Sequence, residues 1–144
     1  MKILPCGVAV LEGDTHHTKW IEQEGKLDIA EKLIHKYKKW IPVGGVVVDA
    51  GAMYGDHTIT YAKLVGPHGA VHAFEPHPES YRCLQYNMQW YPQVTMHMCG
   101  LGDETSSGFD MSCGPNIGAS WLTQGNSGGI PVRQLDMCDL DRID

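Results

Sequence analysis

A short glycine-containing run between residues 46 and 58 carries the residue types that bind a nucleotide-like ligand. Three consecutive valines, at 46–48, suit a strand that is covered on both faces, and Asp49 follows them directly. Gly51 and Gly55 then let the backbone turn sharply and approach a ligand without interference from a Cβ atom. The run therefore predicts a buried strand, a glycine turn and a helix, in that order.

The helix after this turn should begin at Asp56. Asp56 and Thr58 fall in its first turn, where unpaired N–H groups and the helix dipole favour acidic and hydroxyl side chains. The helix should end near Leu64, because a Gly-Pro-His-Gly sequence follows at 66–69.

A second acidic residue stands at the end of the next predicted strand. That strand, at 70–74, ends in Glu75 and Pro76, which places the Glu75 carboxylate 24 residues after Gly51. An acid at about this spacing, on the second strand of a Rossmann-like unit, reaches a pair of ribose hydroxyls. Taken alone, Glu75-Pro76 is only a strand end, since proline cannot continue a ladder.

The glycine spacing favours a ligand that has a ribose but no phosphate. A dinucleotide fingerprint is G-x-G-x-x-G and a phosphate-binding loop is G-x-x-x-x-G-K-[ST], and neither is present. The chain has D-x-G-x-x-x-G instead, with no lysine or arginine from Val46 to Tyr61 to neutralise a phosphate. S-Adenosylmethionine is the common ligand of that description. The same pattern by itself could be a structural turn.

With these motifs the sequence resembles the S-adenosylmethionine-dependent methyltransferases, and most closely the FkbM-type family. The shared pattern is an acid, glycine and alanine after the first strand, G-D-x-T opening the helix, A-F-E-P after the second strand, and a later L-x-x-N. In this chain these motifs are Asp49, Gly51-Ala52, Gly55-Asp56-His57-Thr58, Ala73-Phe74-Glu75-Pro76 and Leu84-Gln85-Tyr86-Asn87. The resemblance covers about residues 43–144 and continues through Leu101-Gly102-Asp103 and 132–136.

The resemblance implies which residues bind the cofactor. Asp49 and the backbone from Gly51 to Gly55 would hold the methionine part, Glu75 the ribose hydroxyls, and residues 101–103 would border the adenine. The full set is Asp49, Gly51, Ala52, Tyr54, Gly55, Asp56, Thr58, Glu75, Pro76, Leu101, Gly102 and Asp103. Asp49 could instead brace the glycine turn. We expect the Glu75 carboxylate to face an empty cleft at a strand end and to contribute little to stability.

The chemistry implied by the resemblance is transfer of a methyl group from a sulfonium, which carries its own leaving group. The protein then mainly aligns the acceptor and removes a proton from it if it is a hydroxyl. We predict O-methylation of a small molecule or a sugar. No catalytic base is assigned, and the candidates for that role are His57, His16 and His17. The alternatives are a non-catalytic cofactor-binding fragment or remnant and, third, a nucleotide-dependent oxidoreductase.

The predicted architecture is a Rossmann-like α/β unit with three parallel strands in the order 3-2-1 and helices on both faces, because right-handed crossovers favour this order. The third strand should run over 94–99, and the helix before it should begin at Pro78. An amphipathic helix over 27–40 should lie on the sheet before the first strand. Residues 1–42 would form an N-terminal segment with that helix, and 43–144 the cofactor-binding domain.

The last part of the chain should add a small antiparallel hairpin. Glycine, serine and asparagine are frequent over 108–129, between strand-like pieces at 109–112 and 119–123, and the last strand of the hairpin should be 130–135. Family members continue into a fourth strand with K-x-D-x-E-G, which this sequence lacks. We therefore expect a truncated sheet with residues 46–48 along an open edge. Either the chain is a fragment of a longer enzyme, or the edge is covered by the hairpin or by a second copy in a homodimer.

The composition is that of an ordinary globular domain, with 144 residues, 42% of them hydrophobic. A formal net charge of −6 argues against a nucleic-acid or anionic-membrane partner, and no apolar stretch approaches the roughly 18 residues of a membrane span. Five cysteines without a C-x-x-C pair fit reduced thiols, and eight histidines without H-E-x-x-H spacing predict no metal site. We expect a cytoplasmic protein.

Overall fold

A computed structural model describes residues 1–28, 34, 38–112, 119–124, 129–138 and 140. The described strands are β1 Lys2–Ile3, β2 Ala9–Val10, β3 Val46–Ala50, β4 Ala70–Phe74, β5 Val94–His97, β6 Gly100–Leu101, β7 Ser106–Ser112, β8 Trp121–Gln124 and β9 Ile130–Arg133. The described α-helices are α1 His16–Glu24, α2 Asp56–Val65 and α3 Pro78–Met88, and single 3₁₀ turns cover Lys38–Trp40 and Leu135–Met137. None of these described helices is long and apolar enough to cross a membrane.

The parallel sheet is formed by β3, β4 and β5. Val46 pairs with Ala70 and Val71 pairs with Val94, so β4 lies between the other two strands. The order β5-β4-β3 confirms the predicted 3-2-1 order of the Rossmann-like unit. Within the described residues β3 pairs only with β4, in agreement with the expected open edge.

The two crossover helices begin where the sequence predicts. Helix α2 begins at Asp56, directly after Gly55, and ends at Val65, one residue beyond the prediction and directly before Gly66. Helix α3 begins at Pro78, and the Nδ1 atom of the preceding residue, His77, accepts a hydrogen bond of 3.2 Å from the Ser80 backbone N–H. A side-chain acceptor at this position satisfies one of the unpaired N–H groups of the first helical turn.

Both crossover helices pack on the same face of the sheet. One hydrophobic cluster joins Val71 and Ala73 of β4 with Val65 of α2 and with Leu84 and Met88 of α3. This is the arrangement that right-handed crossovers produce for strands that advance in one direction. The amphipathic helix predicted for 27–40, which would cover the other face, falls largely outside the described residues, and its described end is the 3₁₀ turn at Lys38–Trp40.

The third parallel strand ends earlier than predicted. We expected a strand over 94–99, whereas β5 ends at His97 and the chain leaves the sheet before β6. The last bond in this register is donated by the Glu75 backbone N–H to the His97 carbonyl, at 3.0 Å. The next N–H of this register belongs to His77, and it donates to Glu75 Oε1 at 2.8 Å instead, so pairing does not continue beyond His97.

The predicted hairpin is present as part of a larger sheet. Strands β7 and β8 pair antiparallel, β9 pairs antiparallel with the other edge of β7, and β6 adds to β9 in parallel. The last strand ends at Arg133, two residues before the predicted end, because Leu135 begins a 3₁₀ turn. The result is a four-stranded mixed sheet in the order β6-β9-β7-β8.

The N-terminal segment contains a helix, α1, that we did not predict. The backbone N–H of its first residue, His16, donates to Asp14 Oδ1 at 3.0 Å, so Asp14 caps the helix start. The segment is attached to the parallel unit through Asn87 of α3. The Asn87 amide accepts from Ala9 N–H at 2.8 Å and donates to the Ala9 carbonyl at 3.0 Å and to the Tyr54 carbonyl at 2.9 Å.

Replacing this asparagine should therefore weaken the whole domain. Asn87→Ala leaves the fully buried Ala9 backbone without its side-chain partners, and each unsatisfied buried group costs about 1–3 kcal/mol. We expect the free energy of unfolding, measured by urea denaturation, to fall by about 2–4 kcal/mol. The matched control is Gln89→Ala, an exposed amide two residues along the same chain, which should change stability by less than about 0.5 kcal/mol. Equal effects of the two substitutions would contradict the role of Asn87.

Candidate functional site

The glycine turn between β3 and α2 is anchored to the end of β4. The backbone N–H groups of Gly51 and Ala52 both donate to the Phe74 carbonyl, at 2.8 and 3.0 Å. Three residues of the turn have left-handed backbone conformations, with φ of +83° at Gly51, +50° at Met53 and +94° at Gly55. Only glycine adopts such φ values without strain, so Met53 needs an external restraint.

The two glycines of this turn serve different contacts. A Cβ atom on Gly51 would meet nothing within 4 Å, and this residue borders an open cavity. A Cβ atom on Gly55 would lie 2.8 Å from Met88 Cε and 2.9 Å from Leu84 Cδ1. The expectation that both glycines admit a ligand is therefore corrected for Gly55, which allows α3 to pack against the start of α2.

Glu75 holds the turn from the end of β4. Its side chain is only 6% exposed, its Oε2 accepts from the Met53 N–H at 2.7 Å, and its Oε1 accepts from the His77 N–H at 2.8 Å. Burial raises the pKa of this carboxyl, against the effect of the two backbone donors. Glu75 borders the cavity as expected, but these two hydrogen bonds contradict the expectation that it contributes little to stability. A carboxylate has about four lone-pair sites, so two stay available to ligand hydroxyls.

Asp49 makes a different contact. Its Oδ2 accepts from the Thr58 hydroxyl at 2.6 Å, and both residues are buried. Burial raises the pKa of Asp49 in spite of this hydrogen bond. Asp49 thus braces β3 against α2, which is one of the two roles left open by the sequence. A contact with a methionine part stays a prediction.

Tyr54 links the turn to the N-terminal segment. Its hydroxyl donates to Asp14 Oδ2 at 3.0 Å, and burial is the main cause that raises the pKa of this hydroxyl. Both Tyr54 and Ala52 are buried under the turn. These two side chains therefore support the turn from the protein side.

A cavity of about 230 Å³ opens where β3 and β4 end. In open parallel α/β sheets, ligands bind in the crevice outside the carboxyl ends of the strands. Four of the predicted site residues line it, namely Gly51, Asp56, Glu75 and Pro76. Ligand pockets usually begin at about 300 Å³, so a nucleoside-sized ligand would extend beyond this one.

The other predicted residues lie behind the cavity wall or farther along the chain. Leu101 belongs to β6, and the Gly102 N–H donates to the Arg133 carbonyl at 3.0 Å. The Asp103 carbonyl accepts from Gln134 Nε2 at 2.7 Å. These three residues are bonded to β9 or to Gln134 directly after it and do not line the cavity within the described chain, so their contact with adenine stays a prediction.

Several lining residues were not included in the predicted site set. Met53 and His77 lie beside predicted residues, and the Pro at 78 could have marked His77 as a helix cap at the strand end. Met111 of β7 and Ser120, directly before β8, also line the cavity, and the pairing of β7 with β8 that brings them together is long-range and is not revealed by a local pattern. His17, considered only as a base, approaches from α1.

The charges around the cavity suit a cationic ligand without a phosphate. Two carboxylates, Asp56 and Glu75, line it together with His17, His57 and His77, and the described lining contains no lysine or arginine. Among the described residues no group of three or more His, Cys, Asp or Glu side chains could hold a metal ion.

A family model described as the methyltransferase FkbM domain matches residues 49–135, which is more than half of the chain. The chain belongs to the FkbM methyltransferase domain family. The match confirms the resemblance inferred from the motifs. Over 68 residues this FkbM chain is 38% identical to a protein named methyltransferase 1 from Beauveria bassiana (strain ARSEF 2860), and the match covers 46% of the chain but 27% of that relative's length.

Two solved structures are similar to about half of the FkbM chain. One is a candidate rRNA methylase from Clostridium thermocellum, at 26% identity and a TM-score of 0.44, covering 49% of this chain and 38% of that one. The other is an S-adenosylmethionine-dependent methyltransferase from Aquifex aeolicus, at 19% identity and a TM-score of 0.43, covering 54% and 44%. Both TM-scores are below 0.5. The fold is therefore established by the strand order and parallel register of the FkbM chain itself.

Because Gly51 and Gly55 have different surroundings, we expect substitutions at the two positions to differ in their effect on stability. Gly55→Ala should lower the free energy of unfolding by about 2–4 kcal/mol, since the left-handed backbone costs about 1–2 kcal/mol and the Cβ must displace Leu84 and Met88. Gly51→Ala should cost only the backbone part, about 1–2 kcal/mol. Urea denaturation of both variants tests this, and an equal loss would show that the space around Gly55 can relax.

Proposed function

We propose that this chain binds S-adenosylmethionine and belongs to an enzyme that methylates a hydroxyl group of a small molecule or a sugar. The observation that carries the proposal is that Gly51 and Glu75 border one cavity at the ends of two adjacent parallel strands. The family match and the absence of lysine and arginine from the described lining support it. Because the chain matches 27% of its curated relative, the activity of the whole protein is part of the proposal.

The residues around the cavity fit this cofactor. Glu75 keeps two lone-pair sites for the ribose hydroxyls after binding two backbone N–H groups, and the open space in front of Gly51 admits the ligand. The carboxylates of Asp56 and Glu75 favour a positive charge nearby. When bound, S-adenosylmethionine supplies an electrophilic methyl group with its own leaving group.

The remaining work of the chain is to orient the acceptor and exclude water. Met111 of β7 and Ser120, directly before β8, border the cavity and would contact what enters beside the cofactor. Alignment of the acceptor oxygen with the methyl carbon lowers the barrier mainly through proximity. The acceptor class is inferred from the family resemblance.

A cytoplasmic location is also part of this proposal. The four cysteines in the described part of the chain, Cys6, Cys83, Cys99 and Cys138, are free thiols. Free thiols persist in reducing compartments.

Calorimetry with S-adenosylhomocysteine and NAD tests the cofactor. We expect S-adenosylhomocysteine to bind and NAD not to bind, because no cationic side chain in the described lining would neutralise a pyrophosphate. Gly51→Ala should weaken binding, whereas Gly44→Ala, which has the same φ of +83° and the same open surroundings away from the cavity, should not. Binding of NAD alone would instead support an oxidoreductase.

Methyl transfer needs a second assay. Release of S-adenosylhomocysteine in the presence of a panel of sugars and small hydroxylated molecules should identify an acceptor. Cofactor binding without transfer to any of them would favour the alternative of a non-catalytic binding module.

Substitution of Glu75 should affect both binding and stability. Glu75→Ala removes the acceptor for two ribose hydroxyls, and hydrogen bonds to a charged group are strong enough that S-adenosylhomocysteine affinity should fall about tenfold to a hundredfold. It also leaves two backbone N–H groups unpaired, so the free energy of unfolding should fall by about 2–4 kcal/mol. Asp49→Asn, which can still accept from Thr58, is the control and should weaken binding less. Unchanged affinity in Glu75→Ala would limit Glu75 to a structural role.

The same carboxylate predicts a pH dependence. Ribose hydroxyls bind the ionised form of Glu75 more strongly than the protonated form, so affinity is lost as the pH falls through the pKa of the free site. Burial raises that pKa, and the loss should therefore begin at a pH where an exposed glutamate is still ionised. Calorimetric titrations across this range should show the loss in the wild type and a flatter profile in Glu75→Gln. Identical profiles would show that another group controls binding.

A further inference from the structure

The edge of the parallel sheet opposite the cavity exposes large apolar side chains. Three loops form this edge, namely 38–45 before β3, 66–69 before β4 and 89–93 before β5. Among the described residues the three most exposed large hydrophobic side chains all belong to it: Val43 and Trp90 are 81% exposed and Trp40 is 73% exposed. Single exposed apolar side chains are common, but several at one edge mark an interaction surface.

Backbone hydrogen bonds hold these loops side by side. The Gly45 carbonyl accepts from the Ala70 N–H at 3.0 Å, and the Gln93 carbonyl accepts from the Val71 N–H at 2.9 Å. The loops before β3 and β5 therefore flank the start of β4. Neighbouring strands lie about 4.8 Å apart, so about two such spacings separate these loops. Their exposed side chains form one surface, which we call the amino-edge surface.

The loops of the amino-edge surface carry positive but no negative side chains. The chain has 17 acidic residues, yet none lies in these three loops, whereas Lys38 and Lys39 are exposed there. The carboxylate of Asp28 contacts Lys63 in the last turn of α2, beside this edge, and it is also paired with Lys26. Its negative charge is therefore compensated.

A lysine and a tryptophan of this surface lie together. Lys39 Nζ is 4.9 Å from the centroid of the Trp40 ring, so an ammonium group and an indole occupy the same place. Tryptophan is enriched at the boundary between lipid headgroups and hydrocarbon, and the long stem of a lysine lets its charge stay at the headgroups. Each basic side chain near an anionic lipid surface adds to the attraction.

The same composition disfavours a protein as the occupant. Protein–protein interfaces are depleted in lysine. Two copies that met through this surface would bring Lys38 and Lys39 of one copy near the same residues of the other, and these charges repel. The net charge of −6 predicts no anionic-membrane partner for the chain as a whole, but exposed charges more than about 10 Å away are largely screened. The local charge therefore decides.

We propose that the amino-edge surface binds the surface of a membrane that contains anionic lipids. The side chains of Trp40, Val43 and Trp90 enter the boundary between headgroups and hydrocarbon, and Lys38 and Lys39 contact the anionic headgroups. The cavity lies at the carboxyl ends of the strands, so it stays open to water on the side away from the lipid. Membrane binding of this kind goes beyond the proposed function and does not depend on the cofactor.

Co-sedimentation of the 144-residue chain with lipid vesicles tests this proposal. We expect binding to vesicles of phosphatidylcholine mixed with phosphatidylserine, and much weaker binding to vesicles of phosphatidylcholine alone. Added salt should weaken the binding, because it screens the lysines. A chain that binds neither kind of vesicle, or binds both equally, would overturn the proposal.

Variants identify the surface that binds. Trp40→Ala and Trp90→Ala should each weaken vesicle binding about tenfold, since each removes a large apolar side chain from the lipid boundary. Replacing Lys38 and Lys39 by glutamine should weaken binding to the phosphatidylserine vesicles about fivefold for each lysine. The matched control is Trp121→Ala, which removes a tryptophan of 58% exposure from β8 and should bind as the wild type does.

The other outcomes are also decisive. Weakening by Trp121→Ala equal to that by Trp90→Ala would overturn the assignment to the amino-edge surface. Analytical ultracentrifugation without lipid should show no self-association through it; a dimer that Trp90→Ala abolishes would identify a second copy as the occupant and overturn the proposal. Because Trp40 and Trp90 are exposed, their variants should keep the urea stability of the wild type. Failure of S-adenosylhomocysteine to bind would overturn the proposed function and leave membrane binding intact.

Discussion

The two hydrogen bonds that the Glu75 carboxylate accepts are the constraint on which the site depends. One comes from Met53 in the turn after β3 and the other from His77 at the start of α3. Both segments line the cavity, and a single buried side chain bonds them to each other. Because Met53 has a φ of +50°, the bond to its N–H also holds a backbone conformation that a methionine rarely adopts.

Burying this carboxylate has a cost that its contacts only partly offset. Removal from water disfavours the ionised form, and two backbone donors favour it; burial is the larger effect on the pKa. Asp49 differs from Glu75 in its contacts: its buried carboxylate uses one oxygen to bond Thr58, and it does not line the cavity. A ligand with two hydroxyls would supply Glu75 with the remaining partners, so ligand binding and the stability of the turn are coupled through one side chain.

Local patterns predicted the parallel unit well, because each of its elements is bounded by residues with strong backbone preferences. Pro78 and Gly66 mark helix ends by their own geometry. Whether each glycine faces a ligand or another part of the protein could not be predicted, since Gly55 meets Leu84 and Met88 through packing between distant elements. The same limit applies to Met111 and Ser120, which reach the cavity through the pairing of the second sheet.

The L-x-x-N motif shows why the N-terminal segment was difficult to interpret. Asn87 lies within the family match, yet its amide bonds the N–H and the carbonyl of Ala9, which lies outside it. These are backbone groups, so the contact requires an extended segment at this place and specifies no side chain there. A sequence pattern therefore cannot reveal the partner of Asn87. The same amide bonds the Tyr54 carbonyl, so the segment that brings His17 to the cavity is attached directly to the glycine turn.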